Sequence, residues 1–196
     1  MSEVLVLYYS VDGATESLAR EVCRGVDSVA DIASRLRTVP SVSATTEAVA
    51  SDVPDSGPPY ATSQDLLECA GLVMGSPTRF GNMAAALKYF VDGTVTEWFS
   101  GAAVGKPFGL FTSTSSMHGG QESTLLSMAL PLIHHGMLYV GIPWTQEELS
   151  TTTTGGTPYG ASHVSFGRNP DEISADEKTL ARALGKRVAE IAIKLL

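Results

Sequence analysis

The sequence predicts an α/β fold in which helices cover both faces of a five-stranded parallel sheet. Short apolar runs alternate with longer segments whose apolar residues recur every three or four positions, as strands and helices alternate in parallel sheets. The length of 196 residues and the apolar fraction of 43% suit one domain with a substantial core. The first apolar run also passes directly into a loop of hydroxyl residues and one glycine.

The predicted elements alternate in chain order. Apolar and β-branched runs predict strands at residues 4–9, 33–39, 71–75, 107–113 and 137–141. Helical periodicity predicts helices at residues 14–25, 63–69, 82–91, 121–134 and 175–196. The most regular apolar stripe belongs to the last helix and consists of Leu180, Leu184, Val188, Ile191 and Leu195. Ser174 and Glu177 offer this helix a capping box.

Two long segments, 40–62 and 141–173, show neither pattern. They are predicted as loops of a single domain that spans residues 1–196, and the first is rich in Pro, Ser and Thr. Loops of this length exceed what one compact domain usually needs, which favours contacts with other subunits.

Composition limits the classes of partner. The formal net charge of −8, without a basic cluster, argues against direct binding of nucleic acid. The apolar stretch 128–144 contains two histidines, two prolines and two glycines, so it does not predict a membrane span. Cys23 and Cys69 lack metal-site spacing and are expected to be buried thiols, and no signal-peptide pattern opens the chain. A cytoplasmic protein is therefore expected.

Three loops are predicted to meet at one edge of the sheet, because ligands of parallel sheets bind at the carboxyl ends of the strands. They cover residues 10–15, 75–82 and 112–121, and all are rich in Gly, Ser and Thr. In the first loop a helix begins near Ala14, Ser10 and Thr15 supply hydroxyls, and no lysine is present. A helix N-terminus with neutral donors favours a bound phosphate. The alternative is that the loops are ordinary connections.

Four motifs carry a resemblance to a known family. GSPTRFGNM, HGGQE, His134-His135-Gly136 and GGTPYGA at residues 155–161 occur in the order that is found in the WrbA-type NAD(P)H:quinone oxidoreductases, first named as tryptophan-repressor-binding proteins. The chain resembles this family over nearly its whole length. The resemblance implies a flavodoxin-like three-layer αβα sandwich, FMN as cofactor, NADH or NADPH as electron donor and a homotetramer. It also implies two-electron reduction of quinones by a ping-pong mechanism.

The resemblance also implies site residues by position. The FMN phosphate would lie at Ser10, Val11, Asp12, Gly13, Ala14 and Thr15. The flavin ring would be held, with His134 nearby, by Pro77, Thr78, Arg79, Phe80, Gly81, Asn82, Ser113, Thr114, Ser115, Ser116, Met117, His118 and Gly119. Trp98 matches the family's substrate-site aromatic residue.

Two positions depart from the family pattern. The family commonly has Tyr at the position of Asp12, which is linked to binding of the nicotinamide cofactor. A carboxylate there removes a stacking surface and repels an anionic cofactor, so the preference between NADH and NADPH is open. The loop with Met117 and His118 is less rich in glycine than in some members, so its contacts to the ring are open too.

Each candidate catalytic residue has a structural alternative. Arg79 places a positive charge where it could stabilise reduced flavin, or it packs along Phe80 at the surface. Trp98 is a stacking wall of the cavity or a subunit contact. His134 donates a hydrogen bond or a proton to a quinone, or it satisfies the last carbonyl groups of its helix. His135 is assigned a structural role, and Tyr159 is a further candidate for the cavity.

Two other functions are compatible with these patterns. A flavodoxin-type carrier would transfer single electrons as a monomer, and a regulatory module would bind another protein. The segment 101–107 is not a phosphate P-loop, because it has three residues between its glycines and precedes a strand. No GxGxxG follows the first strand, so a Rossmann dinucleotide site is not supported.

Overall fold

A parallel sheet lies between two layers of helices in the computed structural model, which describes residues 1–43, 53–166 and 172–196. The strands are β1 (Ser2–Tyr8), β2 (Ile32–Thr38), β3 (Gly71–Pro77), β4 (Pro107–Thr114), β5 (Leu138–Tyr139) and β6 (Ala161–Val164). The helices are α1 (Ala14–Val26), α2 (Ser63–Glu68), α3 (Ala85–Asp92), α4 (Val95–Phe99), α5 (Gln121–His134), α6 (Glu148–Thr151) and α7 (Ala175–Leu195).

The strand order is β2-β1-β3-β4-β5, and β6 also pairs with β4. β5 pairs with Pro107 and Phe108 at the start of β4, whereas β6 pairs with the last four residues of β4. Two short strands therefore share the fifth position of the sheet. The prediction of five strands is corrected to six strands in five positions, because the chain leaves this edge after β5 and returns to it.

The segment between these two strands corrects another prediction. Residues 141–173 were expected to form a loop, but they contain α6 and β6. Residues 167–171 of this range lie outside the described residues. The short helix α4 was not predicted either. These elements have four or five residues, which is too short for a periodic pattern to stand out. The predicted loop 40–62 includes residues 44–52, which lie outside the described residues, and Tyr60 forms a parallel bridge to Thr38.

Two apolar cores hold the three layers together. On one face of the sheet, α1 and α7 pack on side chains that include Val6, Val73 and Phe111. On the other face, α2, α3 and α5 pack on side chains that include Leu5, Met74 and Leu110. Because residues alternate between these faces along each strand, the position of Phe111 also places Ser113 on the α1 and α7 face. The predicted αβα sandwich is confirmed.

No helix among the described residues is long and apolar enough to cross a membrane. Within the same ranges no group of three or more His, Cys, Asp or Glu side chains could hold a metal ion. Cys23 and Cys69 have free thiols, and burial raises the pKa of both. The prediction of buried thiols is confirmed for Cys69, whereas Cys23 is only partly buried.

Candidate functional site

A cavity of ≈ 280 Å³ opens at the carboxyl edge of the sheet. The loops that follow β1, β3 and β4 line it, so the predicted convergence of three loops is confirmed. Its wall consists of Ser10, Val11, Asp12, Ala14, Thr15, Pro77, Thr78, Arg79, Ser113, Thr114, Ser115 and Ser165. All but Ser165 are among the residues that the sequence predicts for cofactor binding.

The first loop presents the N-terminus of α1 to the cavity. Gly13 occupies the N-cap position with φ 88°, a left-handed conformation that favours glycine, and its N–H donates to Ser10 Oγ at 3.1 Å. Glycine supplies no side-chain cap, and the first N–H groups of a helix have no partner within the helix. These N–H groups, with the hydroxyls of Ser10 and Thr15, suit an anion that is bound by neutral donors.

The first, second and third loops are joined at Ser113. Its hydroxyl lies 2.8 Å from Thr15 Oγ1, and its carbonyl oxygen accepts the N–H of Thr78 at 3.0 Å. Thr15 and Ser113 are both buried. The bond between them ties the N-terminal turn of α1 to the end of β4, so it fixes the direction of both hydroxyls.

The second loop turns sharply at Phe80 and Gly81. The N–H and carbonyl groups of Arg79 and Asn82 bond to each other at 2.8 and 3.0 Å, and the two residues between them have φ angles of 53° and 77°. Two successive positive φ angles are typical of a type I′ turn. The ring of Phe80 is fully exposed at the tip. The guanidinium group of Arg79 donates to Thr78 O at 2.8 Å and forms no ion pair with the described residues.

The third loop is held by a side chain that sequence reasoning missed. Gln121 Nε2, at the start of α5, donates to the carbonyl oxygens of Ser116 and Met117 at 3.1 and 2.7 Å. The N–H of Gly119 also bonds to Ser116 O, which closes a tight turn. Several predicted cofactor-binding residues come directly after the wall residues in the chain but do not line the cavity. In the third loop they are Ser116, Met117, His118 and Gly119, and in the second loop Phe80, Gly81 and Asn82.

Ser165 forms a fourth part of the wall that was not predicted. Its N–H donates to Thr114 O at 3.0 Å, directly after β6. Sequence reasoning missed it because β6 was taken as loop. The turn sequence GGTPYGA could have indicated β6, and with it the position of Ser165, since a turn before an apolar residue is typical of a strand start.

Glu177 of α7 holds β6 at this edge. Its Oε1 accepts the N–H groups of Gly155 and Val164 at 2.8 and 3.1 Å, and its Oε2 accepts the N–H of Ser174 and Nδ1 of His163, both at 2.9 Å. Burial alone would raise the pKa of Glu177. The bonds from His163, Ser174 and Gly155 outweigh that effect and lower the pKa to about 2. The predicted capping box is confirmed, and its Glu177 also binds the end of β6 through the N–H of Val164.

Trp98 and His134 lie together but away from the cavity. Their rings stack with centroids 5.4 Å apart, and Trp98 Nε1 donates to His134 O at 3.0 Å. His134 ends α5, whose start contacts the third loop through Gln121. A helix of this length spans about 20 Å, so His134 lies about that far from the cavity of the same chain. His134 lies near the opposite edge of the sheet, where the N–H of Leu138 bonds to Lys106 O.

Two neighbouring candidates have structural positions. The ring of His135 bonds to Thr94 Oγ1 at 3.0 Å, and burial lowers its pKa, with a further lowering from the charge of His134. This agrees with the structural role that the sequence assigns to it. Tyr159 accepts a hydrogen bond from the hydroxyl of Tyr139 through its carbonyl oxygen and does not line the cavity.

Comparison with known structures identifies the fold. A WrbA-like flavodoxin protein from Agrobacterium tumefaciens superimposes with a TM-score of 0.71 at 24% identity, over 99% of both chains. Oxidised Flavodoxin 2 from Bacillus cereus superimposes with a TM-score of 0.60 at 14% identity, over all of both chains. These likenesses confirm the predicted flavodoxin-like fold.

Comparison of sequences identifies the family. The family described as NADPH-dependent FMN reductase matches residues 3–146. An NAD(P)H dehydrogenase (quinone) from Acidithiobacillus ferrooxidans is 43% identical over 198 aligned residues, which cover 100% of this chain and 99% of the relative. The resemblance that the four motifs indicate is thereby confirmed, and the chain belongs to the NADPH-dependent FMN reductase family as a relative of the WrbA-type quinone oxidoreductases.

Proposed function

We propose that this protein is an FMN-dependent NAD(P)H:quinone oxidoreductase whose cofactor phosphate is bound by residues 10–15. The observation that carries this proposal is the meeting of the α1 N-terminus with the second and third loops in one cavity. The 43% identical NAD(P)H dehydrogenase (quinone), matched over the whole chain, supports the reaction class.

The residues of the cavity fit FMN. A phosphate monoester needs N–H and hydroxyl donors, and the first loop offers both without a lysine. The second and third loops are rich in small residues, so their backbone groups can approach the edge of a flat ring. When bound, FMN supplies the hydride chemistry, accepting two electrons from a nicotinamide and passing them to a quinone.

The protein has three tasks in such a reaction. Thr15 and Ser113, fixed by their mutual hydrogen bond, orient the phosphate end. Arg79, at the wall of the cavity and without an acidic partner among the described residues, supplies a positive charge toward the ring. The open face of the cavity admits nicotinamide and quinone in turn, which is the basis for proposing a ping-pong order.

A second copy of the chain completes the site in this proposal. Trp98 and His134 cannot reach the cavity of their own chain, yet they form an ordered stacked pair at the surface. Large apolar side chains are exposed on α3, α4, α5 and the two long connections, as expected of faces that bind other subunits. Tyr89, Phe99, Leu130 and Trp144 are among them, and Phe80 is exposed at the tip of the second loop. We propose a homotetramer in which Trp98 and His134 of one subunit cover the cavity of another.

A reducing compartment, the cytoplasm, is proposed as its location, since the described structure contains two free thiols and no disulfide.

An anaerobic stopped-flow experiment tests the proposed function. The FMN-loaded protein is mixed with NADH or NADPH in one experiment, and the reduced protein is mixed with benzoquinone in the next. Loss and full return of the oxidised flavin absorbance, each in a single two-electron phase, support the proposal. A flavin that nicotinamide does not reduce, and that cycles through a stable one-electron state with chemical reductants, would instead identify a single-electron carrier.

A further inference from the structure

A buried histidine lies beside the cavity wall and has no part in the function described so far. His163 of β6 pairs in register with Ser113 of β4 and is 2% exposed. Residues that pair in register on parallel strands present their side chains to the same face of the sheet. Both side chains therefore face α1 and α7, where Ser113 contacts Thr15 and His163 contacts Glu177.

The partner of this histidine determines which of its ring nitrogens donates a hydrogen bond. Glu177 keeps its carboxylate ionised because it accepts four hydrogen bonds. A carboxylate only accepts, so Nδ1 of His163 carries the hydrogen of the 2.9 Å bond. Nε2 of His163 is buried and has no hydrogen-bond partner among the described residues. A polar ring in this position costs free energy that an apolar side chain would not, so packing alone does not account for it.

A row of four side chains thus crosses the end of the sheet on one face. It runs from Thr15 in the first loop through Ser113 and His163 to Glu177 at the start of α7. Ser113 and Thr15 lie at one end of this row, inside the cavity wall, and Glu177 anchors the other end in the capping box.

We propose that His163 is a positioning residue for the FMN phosphate. Bound to Glu177, it holds the end of β6 against β4 and confines Ser113, which in turn directs the hydroxyl of Thr15 into the phosphate loop. His163 itself does not contact the cofactor. The inference rests on the proposed placement of FMN and adds to it a residue that the cavity wall does not contain.

Binding of FMN and of riboflavin to apoprotein, followed by quenching of flavin fluorescence, tests this inference. Riboflavin lacks the phosphate, so the ratio of the two dissociation constants reports the phosphate contacts. We expect His163→Leu to weaken FMN binding by about tenfold, the scale of one lost hydrogen bond, and riboflavin binding by less than about twofold. His163→Asn restores most of the ratio, because its amide can donate to Glu177 from nearly the position of Nδ1.

Ser162→Ala is the matched control. Ser162 is also buried in β6 and accepts a hydrogen bond from Gly156 N at 2.7 Å, but its side chain points to the other face. It should lower the melting temperature without changing the ratio. If His163→Leu does not fold, His163→Asn and His163→Gln carry the test, because the longer side chain places its amide nearer to Nε2. A ratio kept in Asn and reduced in Gln supports the inference.

Three results would overturn the inference. The first is an equal loss of FMN and riboflavin affinity in His163→Leu, and the second is an FMN affinity that this variant does not change. The third is the same ratio in the Asn and Gln variants. A wild-type protein that binds both flavins equally would contradict the proposed phosphate site, and the inference with it. A wild-type preference for FMN that His163→Leu leaves intact would contradict the inference alone.

Discussion

The indole ring of Trp98 stacks on the imidazole ring of His134 with an interplanar angle of 29°, and its Nε1 donates to the carbonyl oxygen of the same histidine. This pair caps the C-terminal end of α5 and presents two aromatic faces at the surface. Its distance from the cavity of its own chain makes the oligomeric state part of the question of function.

We therefore expect a tetramer at micromolar concentration, further stabilised by saturating FMN, because a ligand that binds the assembled form more tightly shifts the equilibrium toward it. Sedimentation velocity with and without FMN measures this. A monomer in the presence of saturating FMN would contradict both the assembly and the shared site.

Complementation between two inactive variants tests whether subunits share the site. Trp98→Ala should lose most of its quinone turnover, since stacking in the substrate site contributes roughly 0.5–1.5 kcal/mol beyond the buried area, which is up to about tenfold in rate. It should keep FMN affinity within about threefold of wild type, because residues 10–15 bind the phosphate. Thr15→Val should lose FMN binding. Mixed oligomers of the two would contain intact sites, so co-refolded mixtures should recover turnover that neither variant shows alone. If a verified mixed oligomer recovers no turnover, Trp98 acts at the cavity of its own subunit.

Asp12→Tyr should lower the Michaelis constant for the nicotinamide and leave FMN affinity within a few-fold. Asp12 is an exposed part of the cavity wall, and the N-cap position of α1 belongs to Gly13. The substitution adds a stacking surface and removes a repulsive charge, and Asp12→Asn separates these effects because it removes the charge alone. Raising the ionic strength should bring wild type and Asp12→Asn together, since salt screens exposed charges. Unchanged nicotinamide kinetics with a lower melting temperature would show that Asp12 acts only on helix stability.

Phe80→Asn should stabilise the fold and impair the enzyme. Phe80 and Gly81 form the centre of a type I′ turn, in which Asn-Gly is strongly preferred over a bulky residue at positive φ. Relief of the left-handed conformation is worth roughly 1 kcal/mol. Phe80→Ala is the control, because it removes the ring without improving the turn as much. Chemical denaturation should rank Asn above wild type, while both variants should lose quinone turnover. Full turnover in both would assign the exposed ring no role in the site or the assembly.

Stability should fall in acid through Glu177. Its folded-state pKa lies below its ordinary value of 4.5, at about 2. A depressed carboxylate pKa stabilises the folded state above the unfolded-state pKa, and that contribution is lost as the pH falls from about 4.5 to about 2. The contribution at neutral pH is about 3 kcal/mol. Urea unfolding at pH 7, 5, 4 and 3 should show this loss, and Glu177→Gln should be less stable at pH 7 with a shallower decline. Equal slopes in the two proteins would contradict the assignment.

The sequence predicted those parts of the fold that rest on local patterns. The apolar run of β1, the periodic α5 and the capping box of α7 are each readable within one segment. β6 was missed because only its pairing with β4 makes four residues a strand, and that pairing is a contact between distant parts of the chain. The cavity loops could be predicted from their composition, and Ser165 was missed together with β6. Gln121 was missed although its bonds to Ser116 and Met117 are local, because no periodic pattern describes a side chain that bonds to its own loop. The roles of Trp98 and His134 could not be predicted for another reason. A sequence does not show whether a residue belongs to the site of its own subunit or to the site of another subunit.

The hydrogen bonds between Glu177 and β6 also affect when the cavity can form during synthesis of the chain. The first three loops of the cavity lie before residue 122, whereas Ser165 is held in place by an edge strand that bonds to the last helix. A nascent chain on the ribosome has made every residue of those three loops long before α7 emerges from the exit tunnel. The wall at Ser165 can close only after that helix docks, so we expect cofactor loading to follow the docking of α7.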